Sequence, residues 1–157
     1  MLKKNKTIGI LAAVLFAVLA YLNEYGWIPG AGTDGGISGS QAPDTDSATR
    51  AITAAYRAQR SDVQVSGSGT VKKVLRDDRH GSRHQRFLLR LSNNQTLLIA
   101  HNIDLAPRIP DLQPGDRVAF YGEYEWNNQG GVIHWTHHDP AGRHVDGWLK
   151  HEGRTYQ

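Results

Sequence analysis

The chain has 157 residues, 39% of them hydrophobic and 21% charged, which suits one domain with a core and excludes a wholly disordered or collagen-like chain. It has no cysteine, so disulfide scaffolds, thiolate metal sites and cysteine nucleophiles are excluded, and any metal would fall to His, Asp, Glu or backbone oxygen. The formal charge of +3 belongs to the N-terminus: Lys3, Lys4 and Lys6 precede every acid, and past residue 22 fifteen cations meet fifteen acids.

In chain order, a basic start leads into an apolar run from Thr7 to Leu22. That length lies between a signal-peptide core and a bilayer span of roughly 20 residues. Tyr21, Tyr25 and Trp27 come next, as interfacial aromatics would, and Val18-Leu19-Ala20 is a weak cleavage site. Residues 1–28 are therefore expected to form a membrane-targeting helix, a signal anchor or a signal peptide, with the anchor preferred. By the positive-inside rule the remainder would be extracytoplasmic, in the periplasm or cell envelope, membrane-anchored or secreted. Residues 29–45, rich in Gly, Ser, Asp and Pro, read as a flexible linker.

Residues 46–157 form the expected folded domain. Asp46 or Ser47 can cap a short helix running to about Arg60, with Ala48, Ile52, Ala55 and Tyr56 on one stripe that docks on the rest of the domain. From Asp62 the period changes to two. Strands are expected at Val63–Leu75, Gln85–Leu91, Thr96–His101, Arg117–Glu125 and Val132–His137. Asn93-Asn94 reads as a two-residue type I′ turn. That turn would place Arg86 opposite His101 and gather His84, Arg86, His101 and Asn102 on one rim. Pro107, Pro110 and Pro114 leave room for little helix between the third and fourth strands. The pattern predicts a mainly β fold, a small OB-like five-stranded β-barrel preceded by a short helix, with an irregular β-sandwich as the alternative.

Charge is segregated within the neutral domain. Residues 70–91 carry a net +5 and residues 100–152 a net −4. Arg79, Arg83, Arg86 and Arg90 are candidate contacts for a polyanion such as nucleic acid or an oligosaccharide, with Tyr121 as a stacking platform. A merely solvated charged hairpin is the plain alternative. Five of the eight histidines fall within residues 134–151. Imidazole suits general acid–base work and metal ligation, and Asp139 or Asp146 can orient it. The candidate catalytic residues are His84, His101, His134, His137 and Asp139. The candidate ligands for a divalent metal are His134, His137, His138 and His144. The His-Glu-x-x-His protease signature is absent.

Three blocks carry a resemblance: residues 81–87 (GSRHQRF), residues 101–107 (HNIDLAP), and residues 122–127 (GEYEWN) with residues 130–140 (GGVIHWTHHDP) close behind. Over about residues 64–157 the chain resembles a small family of exported bacterial proteins, catalogued as a domain of unknown function and marked by a His-Trp-Thr-His motif. The resemblance implies a bacterial, envelope-associated setting and brings no activity with it. The residues themselves favour a binding module for a polyanionic ligand. A His-based phosphodiesterase or nuclease, with or without a metal, is the alternative, and a structural module presented to a protein partner is a third reading.

Overall fold

The computed structural model describes residues 43–157, so the expected targeting helix and nearly all of the linker lie outside the described residues. Among those described, no helix is long and apolar enough to cross a membrane. Helix α1, Pro43–Arg57, starts three residues before the expected cap. It buries Ala48, Ile52 and Ala55, with Tyr56 packed beside them, as its 3.6-residue stripe requires. Its end is a Schellman closure: Gln59 takes a left-handed φ of 52°, Gln59 N–H donates to Tyr56 O, and Arg60 N–H donates to Ala55 O.

Seven strands come after the helix: β1 Val63–Val74, β2 His84–Arg90, β3 Thr96–Asn102, β4 Arg117–Glu125, β5 Val132–His134, β6 Trp148–His151 and β7 Arg154–Tyr156. The first five are ordered β1-β2-β3-β5-β4, and β1 also pairs with β4, which closes them into a barrel of the OB type. The β3–β5 pair is parallel and the other pairs are antiparallel. Val65, Val71, Phe87, Leu89, Leu97, Ile99, Val118, Phe120, Tyr124 and Ile133 fill the interior. Tyr124 is the inward tyrosine, with its hydroxyl donating to Gly130 O, and Tyr121 is the outward one. The irregular connection before β4 sends Ile109 and Leu112 into the core. Gln85, buried, holds that connection by bonding both the N–H and the carbonyl of Ile109, each at 2.8 Å.

Two expectations are corrected. The β2–β3 turn is one residue longer than a two-residue hairpin: Leu91 pairs with Gln95, and Asn94 takes a φ of 66°. A three-residue turn ending in a left-handed residue is the next commonest hairpin. The change sets His84 opposite Asn102, Gln85 opposite His101 and Arg86 opposite Ala100. His101 therefore lies on the opposite face from His84 and Arg86, and the four-residue rim does not form.

The second correction concerns the fifth strand, which ends at His134 rather than His137. Trp135 has a φ of 49°, a turn that a bulky residue rarely makes, and the chain leaves the barrel there. It returns as β6, which pairs with Ala119–Tyr121 on the edge of β4 just beyond β5, and β7 then completes a hairpin. Gly147 permits the return, because a Cβ there would collide with the carbonyl oxygens of Trp135 and Tyr121. Residues 135–147 are thus an excursion loop inserted into one β-edge, and they carry three candidate site histidines, His137, His138 and His144.

Candidate functional site

Residues paired across strands point to the same face, so register alone lays out the surface of β1 and β4 as a series of rungs. The first rung is Arg90, Thr70 and Arg117. Next come Ser68, Ala119 and Lys150, then Ser66, Tyr121 and Trp148, and finally Gln64, Glu123 and His134. Small side chains form the floor. The face passes from cations, through two aromatic rings, to acid and imidazole.

At the cationic end, Arg90, Arg117, Ser68, Thr70 and Asn94 line a groove of about 340 Å³. Arg117 donates to Ser68 Oγ at 3.0 Å. The Lys72 ammonium is pushed down, chiefly by desolvation and secondarily by the Arg90 charge. In the middle, the Tyr121 and Trp148 rings lie 6.2 Å apart, and Lys150 Nζ sits 4.5 Å from the centre of the Trp148 ring.

At the other end, His134 Nε2 lies 3.2 Å from Glu123 Oε1 and 3.6 Å from Glu125 Oε1, and all three side chains are largely buried. Burial would raise both carboxyls. The adjacent histidines, with Ser61 on Glu125, outweigh it and hold them below their usual range. Burial would likewise lower His134, and the two glutamates more than reverse that. Asp62, at a φ of 58°, adds a third carboxyl, raised chiefly by Glu125. From the excursion loop, His144 brings Nε2 to 2.8 Å from Glu123 Oε2 while its ring stacks on Trp135 at 4.1 Å.

Of the four histidines expected to share a metal, His134 and His144 converge on Glu123, and the other two do not join them. His138 is exposed and pairs with Asp146. His137 is buried, with Nδ1 donating to His138 O at 2.7 Å. His84 is held in the same way, its Nδ1 on Ser82 O at 2.8 Å. Burial pushes both imidazoles below their usual value, so each is neutral near pH 7, and neither Nε2 makes a hydrogen bond among the described residues. His101 is fully engaged between Thr136 Oγ1 at 2.8 Å and Pro107 O at 3.0 Å, and burial lowers it to about 4. Its contacts give it a bracing position between β3, the loop after it and Thr136.

Asp139 accepts the backbone N–H groups of Ala141, Arg143 and His144 and so organises the excursion loop. The expected arginines also separate. Arg86 is buried under the β1–β2 loop, donating to Arg76 O and lying 4.0 Å from Asp78. Arg83 is exposed and paired with Asp104 at 2.6 Å. Arg79 is exposed in that loop, and Arg90 lines the groove with Arg117. Sequence reasoning missed Arg117, Gln64, Glu123 and Glu125 as site residues, while Trp148 reads from the sequence as either a core ring or a stacking platform. For the glutamates a signal existed: Glu123 and Glu125 alternate on a strand whose expected and observed bounds agree, so they share its outer face.

Residues 37–157 match the family model described as protein of unknown function (DUF3465), and the chain belongs to that family. No curated protein matches it.

Proposed function

Taking that family membership as the premise, we propose that the barrel binds a single-stranded nucleic acid along the outer face of β1, β4 and β6. The observation that carries this reading is the rung order: Arg90 and Arg117 at one end, Lys150 beside them, then Tyr121 and Trp148, over a floor of Ser66, Ser68 and Ala119. Guanidinium and ammonium groups attract a phosphate backbone, exposed rings stack on bases of any sequence, and a small-residue floor leaves room for the chain. The protein would act outside the cytoplasm, held at the membrane through residues 1–28, a placement supported by Lys3, Lys4 and Lys6 ahead of the apolar run.

The test is a fluorescence titration of the full-length protein with single-stranded oligonucleotides at several salt concentrations. Tryptophan quenching that saturates, weakens with salt, and is both weaker and less salt-dependent in the Arg90→Ala, Arg117→Ala double variant is expected. Equal affinity for oligonucleotides and for a neutral glycan would overturn the reading.

One observation favours a second reading, phosphodiester hydrolysis. His84 and His137 are neutral imidazoles fixed through Nδ1, which leaves Nε2 as a base, and each lies within Coulombic range of the other. Cleavage of the bound strand that is abolished by His84→Gln and by His137→Gln, with binding retained, would establish it. Intact strand across several pH values, with and without chelator, would reject it.

A further inference from the structure

The rung that ends the face has an unusual composition. Among the described residues, two buried side-chain nitrogens lack a hydrogen-bond partner, Gln64 Nε2 and His134 Nε2, and the two residues that carry them pair with Glu123 from either side in one rung. Such groups are expensive in a folded protein and call for a partner. His134 Nε2 is close to two carboxylate oxygens, yet it does not meet hydrogen-bond geometry with either. Glu123, Glu125 and His134 each offer one ligand atom, and these atoms lie within 4.8 Å of one another.

We propose that Glu123, Glu125 and His134 form a binding site for a divalent transition-metal ion of the zinc or manganese class. Metal–ligand bonds of about 2.0–2.2 Å in a tetrahedral arrangement put neighbouring ligand atoms roughly 3.3–3.6 Å apart. The observed separations from His134 Nε2, 3.2 and 3.6 Å, straddle that edge length. Charge agrees as well, since a 2+ ion offsets Glu123 and Glu125 beside a neutral imidazole, with Asp62 as a third carboxyl next to Glu125. One nitrogen and two carboxylate donors suit zinc or manganese better than calcium. Three protein ligands leave a fourth position for water or an anionic ligand, the pattern of open rather than purely structural sites. His144, on the far oxygen of Glu123 and stacked against Trp135, is the positioning residue that orients the carboxylate. Gln64, paired with Glu123 across β1 and β4, brings a buried amide that would donate to the bound carboxylate or to a water on the ion.

The site stands independently of nucleic-acid binding, and the experiment keeps the two apart. Full-length protein, stripped with chelator, is titrated with zinc and with manganese by calorimetry. One equivalent is expected to bind, with affinity reduced at least tenfold in each of Glu123→Gln, Glu125→Gln and His134→Gln, and about tenfold in His144→Ala. His138→Ala should bind as the wild type does. Melting in chelator checks folding: Glu123→Gln and Glu125→Gln each lose a pairing with His134, so their metal-free melting temperature should fall modestly while unfolding stays a single cooperative transition. Absence of saturable binding by either metal overturns the proposal, as does wild-type affinity in the two glutamine variants. Oligonucleotide titration in chelator reads the other proposal alone.

Discussion

The two ends of the β1–β4 face are built on the same ladder and differ in how their polar groups meet water. Arg90 and Arg117 reach out of an open groove, where each contact is screened and replaceable. Glu123, Glu125 and His134 are folded under the excursion loop, where the same Coulomb interactions are stronger and an unpartnered atom is costly. One end suits loose, salt-sensitive contacts with a long polymer. The other suits a single small ion. Pairing register chose the side chains at both ends, and the excursion of residues 135–147 reaches the acidic end through His144 on Glu123.

The largest effect expected comes from a histidine buried on the other side of the sheet from this face, and it appears in acid. His101 is lowered to about 4 from an ordinary 6.5. As pH falls through 6.5 the unfolded chain takes up a proton that the folded chain refuses until about 4. His101 thus contributes stability that is fully present above 6.5 and lost progressively down to about 4, roughly 3 kcal/mol in all. Urea unfolding at pH 7.5 and 4.5, compared with His101→Gln, isolates this share, and equal pH dependence in the two proteins would refute it. His84 and His137, both lowered, act in the same direction, while His134, which is raised, opposes them.

A smaller effect lies at the middle of the face. Tyr121→Ala removes a stacking ring and should weaken oligonucleotide binding by roughly 1–3 kcal/mol, about five- to 150-fold, with melting little changed. Unaltered affinity would mean the rings pack only on each other. Next is the cationic end: Arg90→Ala with Arg117→Ala should lower the slope of log affinity against log salt by about 1.4, two phosphates' worth for a single strand. Stability should move by under about 0.5 kcal/mol, since both side chains are exposed. The smallest effect is expected for Arg83→Ala, whose exposed pairing with Asp104 is screened by water, and binding and melting should both match wild type within error. A large loss there would shift the polymer site to the β1–β2 loop.

Much of the barrel was readable along the chain. The bounds of β4 matched, the α1 stripe matched, and an outward tyrosine on β4 came from alternation, because each depends on side-chain period within one segment. The β6–β7 hairpin was not readable. Its strands are four and three residues long, and Lys150, His151, Glu152 and Arg154 give no apolar alternation to detect.

What the sequence by itself determined is the five strands of the barrel, the docking helix and the segregation of charge. Tertiary structure decided which charges meet. One extra residue in the Ser92–Asn94 turn moved His101 away from Arg86, and one left-handed residue at Trp135 turned His137 from His134 and brought His144 to Glu123. The reason is that period two is a property of one strand's backbone. A rung is a property of register between strands far apart in the chain, fixed by turns and barrel closure, and a slip of one residue sends every side chain to the other face.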